Sequence, residues 1–327
     1  MNEKMRELTE NFPNQVRESI EIADKSMLTA AKGIKNIVIS GLGGSGITGK
    51  IIKSYYLDKI NIPVETVSDY QLPKFVNADT LVILCSYSGN TEETLSAYHD
   101  AKAKGAYCLT VSVGGKMSDL AAADGLLTYR AEGGYQPRVA FGYPITYVFL
   151  IFAELLGQDI QSELKEVIEH VSNVEQFKSS SLAVRNFFKE NIRNKYVIVA
   201  SPDMEAVAIR FAQQVQENAK LEAFVVVIPE ANHNVIETYY EQWASNYIFL
   251  NSGANARINY RFSFIKELLE KYKSPVYEMP MGNRSISHIV EMVFLLDWVS
   301  IQIADEVSAV SNQIKNIIDL KDYLSSK

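Results

Sequence analysis

Two short segments of this 327-residue chain carry groups suited to holding an anion, and each lies between a strand pattern and a helix pattern. In "GLGGSGITG", residues 41–49, glycines let the backbone approach a ligand and Ser45 adds a hydroxyl. The segment "SYSGNTEET", residues 86–94, offers three hydroxyls: Ser86, Ser88 and Thr91. A helix N-terminus adds free N–H groups and partial positive charge. Both segments therefore predict a phosphate site, with Gly44 among its backbone contacts.

Each segment also has a competing interpretation. A glycine-rich turn after a strand occurs in dinucleotide sites, but these glycines fit G-x-G-x-x-G only with Gly46 as the third, and no acidic residue closes the second strand. The second segment fits a plain helix N-cap formed by Asn90 or Thr91. Capping needs one such residue, whereas two hydroxyl-bearing helix starts at one sheet edge favour a phosphate monoester.

The elements that position these segments are predicted from apolar periodicity. Short apolar runs predict strands in two groups: residues 36–41, 64–68, 81–86, 106–111 and 126–130, then 196–201, 223–229, 247–251 and 276–280. Helical patterns cover residues 14–32, 159–189, 204–220, 284–305 and 310–325. The alternation predicts an α/β fold of two doubly wound parallel-sheet subdomains, flavodoxin-like, with helices on both faces. We expect an N-terminal domain over 1–158 and a C-terminal domain over 159–327.

Composition and charge limit the partners, the metal sites and the cellular location that we expect for this protein. The net charge of −7 argues against nucleic acid or an anionic membrane as the main partner. The two cysteines, Cys85 and Cys108, lie in apolar runs and are interpreted as small buried hydrophobes, and no metal-ligand spacing occurs. The N-terminus lacks the apolar core of a signal peptide, and the apolar segment 143–157 is too short to span a bilayer. We therefore expect a cytoplasmic protein.

Five motifs together resemble a known family: "GLGGSGITG", "SYSGNTEET", "YQPRVAFGY", "QENAK" and "PEANHN". They are similar to the sugar isomerase (SIS) domain, and specifically to bifunctional phosphoglucose/phosphomannose isomerases built of two such domains. The resemblance implies interconversion of glucose 6-phosphate or mannose 6-phosphate with fructose 6-phosphate through a cis-enediolate, as in glycolysis and gluconeogenesis. It also implies a homodimer in which each active site includes a residue of the partner. The chemistry requires no metal and no cofactor.

The resemblance also implies roles for three side chains. Glu217 is the base that moves the proton between C1 and C2, His233 opens the sugar ring by reaching into the neighbouring subunit's site, and Arg138 stabilises the enediolate. Without the resemblance, a Glu at a helix end, a His in a loop and a single Arg are each more often solvated or structural.

The end of the chain departs from the family pattern. The family's Asp-Pro-Thr-Pro segment is replaced by "ADEVSAVSNQIKNIIDLKDYL", in which Lys321 is the counterpart of a lysine that assists ring opening and Lys315 is a second choice. This difference leaves the relative handling of glucose and mannose epimers open. Two alternatives remain: a non-catalytic sugar-phosphate regulator, or an isomerase of another phosphosugar.

Overall fold

The computed structural model describes residues 2–23 and 33–326. Its α-helices are α1 Glu3–Glu10, α2 Phe12–Ala23, α3 Gly43–Tyr56, α4 Glu92–Ala103, α5 Gly115–Ala123, α6 Gly142–Leu156, α7 Gln161–Val171, α8 Val174–Phe187, α9 Glu205–Gln214, α10 Ala256–Lys271, α11 Ile286–Glu306 and α12 Lys315–Ser325. Its strands are β1 Asn36–Ser40, β2 Val64–Val67, β3 Thr80–Cys85, β4 Tyr107–Ser112, β5 Thr128–Arg130, β6 Lys195–Ala200, β7 Ala223–Val227, β8 Ser245–Leu250 and β9 Val276–Glu278.

The described residues group into two compact units. The N-terminal unit comprises residues 11–172 with 285–287, and the C-terminal unit comprises residues 2–10, 173–284 and 288–326. The N-terminal unit extends beyond residue 158, where we expected the domain boundary, to residue 172, and residues 2–10 belong to the C-terminal unit. Helix α7 packs on α2, and Asn2 at the other end of the chain donates a 2.8 Å hydrogen bond to Asp305.

The N-terminal unit contains a parallel sheet in the order β2-β1-β3-β4-β5. Strand β1 pairs with β2 on one side and β3 on the other, with Ser40 opposite Val67 and Leu84. All six residues of β3 are buried, as expected of a parallel strand covered on both faces. The order confirms the predicted doubly wound, flavodoxin-like fold.

The C-terminal unit contains a second parallel sheet, in the order β7-β6-β8-β9. Strand β8 is buried along its whole length and pairs with β6 and β9. Each of the nine predicted strands is present, because short apolar runs bounded by turn residues are a local signal.

Two helical predictions need comment. Helix α2 is described as far as Ala23, and the rest of the helix predicted over 14–32 lies outside the described part of the chain. The connection predicted over 159–189 consists of two helices, α7 and α8, separated at Ser172 and Asn173. The Ser172 hydroxyl bonds to the backbone oxygen of Ile168, a local bond that favours helix ends.

The most apolar helices differ in length. Helix α6, which covers most of the apolar segment 143–157, has 15 residues and is almost entirely buried. Helix α11 has 21 residues and is long and apolar enough to cross a bilayer, but 89% of its most apolar window is buried inside the structure. Such burial is typical of a core helix.

Candidate active site

The two hydroxyl-bearing segments follow neighbouring strands of the N-terminal sheet. The segment 41–49 follows β1 and begins α3, and the segment 86–94 follows β3 and begins α4. Strands β1 and β3 are paired in parallel, so both carboxyl ends lie at one edge. The strand order changes direction at this pair, and open α/β sheets bind ligands at such a point.

One hydrogen bond joins the two segments, and another lies within the second segment. The backbone N–H of Tyr87 donates to Ser45 Oγ over 3.3 Å, and Ser86 Oγ donates to Thr91 Oγ1 over 2.9 Å. Ser45 and Ser86 are buried, whereas Ser88 is exposed and its hydroxyl accepts a 3.2 Å bond from the Asn90 N–H. Three of the predicted hydroxyls, on Ser45, Ser86 and Thr91, therefore lie close together at the carboxyl ends of β1 and β3.

The residues at the N-cap positions of α3 and α4 do not cap these helices with their side chains. Leu42 occupies the N-cap position of α3 and Thr91 that of α4, and neither side chain accepts a hydrogen bond from the helix. The plain capping interpretation therefore does not describe Thr91. The first-turn N–H groups of an uncapped helix have no helical acceptor and present a partial positive charge, which suits an anion.

Close contacts between backbones require glycine in this region. Gly89 has φ +66°, and a Cβ built there would lie 1.7 Å from the carbonyl oxygen of Gly114, in the loop after β4. A Cβ on Gly41 would lie 2.7 Å from the Cys85 carbonyl oxygen. The loops after β1, β3 and β4 thus pack backbone against backbone, which fixes the positions of their hydroxyls.

Arg138 lies beside the start of α3. It is buried in a 3-10 turn, Pro137–Val139, whose Pro137 oxygen is 3.3 Å from a Cβ built on Gly44. A buried guanidinium stays protonated, so this turn brings a fixed positive charge to the predicted phosphate segment. The structure therefore brings together Gly44, Ser45, Ser86, Thr91 and Arg138, while Ser88 lies at the exposed rim.

Two residues that were not among the predicted site residues hold this arrangement in place. Gln15 of α2 is fully buried; its amide donates to the Val139 carbonyl oxygen over 2.8 Å and accepts from the Gly142 N–H over 2.9 Å. The Tyr87 hydroxyl donates to the Glu132 oxygen over 2.9 Å and accepts from the Tyr135 N–H over 3.1 Å. Burial raises the pKa of Tyr87, which keeps that hydroxyl protonated as a donor. No local pattern marks Gln15, because its partners are more than 120 residues away.

Glu217 lies in the C-terminal unit, in a π-helical turn that continues α9 over Val215–Ala219. Its side chain is partly exposed and lines a cavity of about 300 Å³. Lys220 and Gln313 line the same cavity, together with Lys315 at the start of α12. A π turn inside a helix often marks a functional position.

Of the two candidate lysines, Lys315 contributes to the cavity that Glu217 lines, and Lys321 is not among its lining residues. Both lysines are exposed, and α12 buries no residue within the described chain. The role implied for Lys321 stays a prediction.

His233 is exposed at the end of a 3-10 turn, Glu230–His233, which follows β7. The neighbouring Asn232 accepts a 2.9 Å hydrogen bond from Arg261 of α10. His233 is not among the lining residues of the Glu217 cavity. Its role in ring opening also stays a prediction.

Within residues 2–23 and 33–326, no group of three or more His, Cys, Asp or Glu side chains is arranged to hold a metal ion. Cys85 and Cys108 are both buried and unbonded, in agreement with their interpretation as small hydrophobes.

Comparison with known proteins extends over almost the whole chain. Residues 32–132 match the model of the SIS domain, and residues 185–324 match that of the bacterial phospho-glucose isomerase C-terminal SIS domain. The bifunctional phosphoglucose/phosphomannose isomerase of Caldicellulosiruptor bescii is 34% identical over 329 residues, covering 96% of this chain and 97% of the relative.

Two further proteins widen the comparison. The D-glucosamine-6-phosphate 4-epimerase of Sulfolobus acidocaldarius is 32% identical over 240 residues, which are 73% of this chain and 75% of the relative. The crystal structure of glucosamine-6-phosphate deaminase from Thermotoga maritima matches with a TM-score of 0.73 at 17% identity, covering 94% of this chain and 97% of that one. This likeness establishes the fold.

Proposed function

We propose that this chain, which belongs to the family of bifunctional phosphoglucose/phosphomannose isomerases, interconverts glucose 6-phosphate and mannose 6-phosphate with fructose 6-phosphate. The observation that carries the proposal is the 34% identity to a protein of that name over 96% of the chain. The comparisons confirm the family predicted from the five sequence motifs.

The phosphate of the sugar is held at the β1/β3 edge in this proposal. The hydroxyls of Ser45, Ser86, Ser88 and Thr91 donate to its oxygens, with Ser86 exchanging its bond to Thr91 for one to the phosphate, together with the N–H groups that begin α3 and α4. In support, neither N-cap side chain bonds to its own helix, and one hydrogen bond joins the Ser45 and Ser86 segments. Charge-assisted hydrogen bonds of this kind are stronger than neutral ones.

Glu217 performs the proton transfer. Its carboxylate removes the proton from C2 of the open-chain aldose, and the C1 oxygen gains negative charge as the enediolate forms. A proton then passes from the C2 oxygen to the C1 oxygen, and Glu217 returns its proton to C1 to give the ketose. Arg138 compensates the charge of the enediolate oxygens, a role for which a buried and permanently protonated guanidinium is suited. No external oxidant or cofactor is needed, because the reaction only moves protons.

One base reaches the C2 protons of both epimers if the enediolate rotates about the C2–C3 bond between removal and return of the proton. The site then has to hold the phosphate firmly and the C2 region loosely. The backbone contacts around Gly89 support a rigid phosphate end.

His233 and Lys321 open the pyranose ring, and both act in a homodimer in this proposal. His233 is exposed at a loop, and α12 leaves Ile317, Leu320 and Leu324 exposed on one face. Exposed apolar side chains at this spacing are suited to packing against a second copy. Light scattering at micromolar concentration tests this part, and a monomer would contradict it. We also propose a place in glycolysis and gluconeogenesis, which the proposed substrates support, and a cytoplasmic location.

The test of the proposed function is product analysis after incubation with fructose 6-phosphate. We expect both glucose 6-phosphate and mannose 6-phosphate. Tight binding of fructose 6-phosphate without turnover would instead identify a sugar-phosphate regulator. The absence of both binding and turnover would overturn the proposal.

A second candidate is action on an amino sugar phosphate. It is favoured by the relative named D-glucosamine-6-phosphate 4-epimerase, which is 32% identical over 240 residues. Incubation with glucosamine 6-phosphate in the same assay separates the two: conversion of that substrate with no conversion of fructose 6-phosphate would favour the second candidate.

A further inference from the structure

A line of buried polar side chains runs along one face of α9 and its π turn. Arg210, Gln214 and Asn218 are spaced four residues apart, and each is at most 3% exposed. Residues four apart lie on the same side of a helix. Three consecutive polar residues on a buried face need partners, because an unsatisfied buried polar group is strongly destabilising.

The partners lie on α11. Both oxygens of the buried Asp297 carboxylate accept hydrogen bonds from α9: Oδ2 from Arg210 Nη2 at 2.5 Å and Oδ1 from Gln214 Nε2 at 2.8 Å. The Asn218 amide donates to Ser300 Oγ over 2.9 Å, and that hydroxyl donates to the Asp297 backbone oxygen over 2.7 Å. The five side chains form one connected network, so each restrains the others.

The π turn makes this alignment possible. Four residues of an α-helix advance about 40° beyond a full turn, so a third residue at this spacing drifts away from the first. A π turn places more residues in each turn and offsets this drift. Asn218, inside the π turn, therefore returns to the buried face that Arg210 begins.

The same turn contains Glu217, which is partly exposed. Glu217 precedes the anchored Asn218 and lines the cavity of about 300 Å³ with Lys315. Its backbone oxygen accepts a bond from the Lys220 ammonium, and the Asn218 backbone oxygen accepts from Ser311 Oγ over 3.2 Å. The main chain at Glu217 and Asn218 is thus held in place by hydrogen bonds, which fixes the point from which the Glu217 side chain extends.

We propose that the Arg210–Gln214–Asp297–Ser300–Asn218 network positions the Glu217 carboxylate for proton transfer, with Asn218 and Ser300 as the positioning residues nearest to it. The inference rests on the proposed role of Glu217 as the base. Proton transfer requires heavy atoms at hydrogen-bond distance, and a displacement of about 1 Å lowers rates by up to about 100-fold. The phosphate segments lie in the N-terminal unit and make no part of the network.

The test compares Asn218→Ala and Ser300→Ala with the unaltered protein in steady-state assays on fructose 6-phosphate. We expect kcat to fall about 10- to 100-fold in each, with KM changed less than about threefold. Because the two residues share one hydrogen bond, the double variant should lose little more than Asn218→Ala alone. Ser300→Thr, which keeps the hydroxyl, should recover most of the activity.

Asn246→Ala is the matched control. Asn246 is also buried in the C-terminal unit, and its amide donates one 2.8 Å bond to the Asn191 backbone oxygen, away from the π turn. It should lower the melting temperature by an amount similar to that of Asn218→Ala while kcat stays unchanged. Equal loss of kcat in the control, or normal kcat in Asn218→Ala, would overturn the inference.

Two outcomes separate this inference from the proposed function. A wild-type protein that converts no phosphosugar, or a Glu217→Gln variant with full activity, would defeat the role of Glu217 and the inference with it. An active wild type, an inactive Glu217→Gln that still binds fructose 6-phosphate, and a fully active Asn218→Ala would overturn the positioning network alone.

Discussion

Ser86 donates a 2.9 Å hydrogen bond to the hydroxyl of Thr91 across the turn between β3 and α4. Thr91 stands at the N-cap of α4, yet its side chain accepts no bond from the helix. The bond directs the two hydroxyls toward each other and leaves the first-turn N–H groups without a capping oxygen. This geometry favours an anion as the partner of those N–H groups over a self-contained cap.

Replacing Ser86 by Ala should weaken phosphate binding. It removes one hydroxyl and frees Thr91, and a hydrogen bond to a charged group contributes about 1.5–3 kcal/mol. We expect KM for fructose 6-phosphate to rise about 10- to 100-fold in steady-state assays, with kcat nearly unchanged because the proposed base is untouched. Ser118→Ala, which alters a buried serine of α5, is the control. An unaltered KM in the Ser86 variant would remove this residue from the phosphate site.

The two lysines near the chain end can be separated by parallel substitution. Lys321→Met should lower kcat on cyclic glucose 6-phosphate about 100-fold, since a positioned general acid contributes at least that factor. Lys315→Met should stay within about threefold of wild type. The reverse order would transfer the role to Lys315, which lines the Glu217 cavity.

Gly89 and Gly105 offer a matched pair for the rigidity of the phosphate segments. Both have positive φ, +66° and +70°, so alanine carries a similar backbone penalty of about 1–2 kcal/mol at each. A Cβ at Gly105 meets nothing within 4 Å, whereas at Gly89 it lies 1.7 Å from the Gly114 oxygen. Gly89→Ala should therefore lower the free energy of unfolding by about 1–3 kcal/mol more than Gly105→Ala in urea titrations. An equal decrease in the free energy of unfolding for both variants would mean that the loop at Gly114 can move away from Gly89 without cost.

The two thiols should be unreactive in the folded protein. Burial raises the pKa of Cys85 to about 12 and that of Cys108 to about 11, so both are protonated at pH 8 and hold almost no nucleophilic thiolate. Ellman's reagent at pH 8 should label neither in native buffer and both in 8 M urea. Rapid labelling of either thiol under native conditions would contradict its burial.

Much of the candidate phosphate site was predictable because its signals are local. The glycines and hydroxyls of residues 41–49 and 86–94 lie directly between strand and helix patterns. Parallel pairing of β1 and β3 then brings both segments to one edge. Gln15 was not predictable, since a glutamine in an amphipathic helix gives no hint that it bonds to Val139 and Gly142.

The sequence alone determined the family, the fold class and the positions of the two candidate phosphate segments. Apolar periodicity and turn residues act over a few positions, so they can be read directly from the sequence. Only the tertiary structure decided that Thr91 pairs with Ser86, that Glu217 stands in a π turn, and that Asn218 is anchored to Ser300, 82 residues away. These contacts depend on which polar groups become neighbours when the helices and loops pack. A buried polar group needs a hydrogen-bond partner, and no local pattern identifies which residue that partner is.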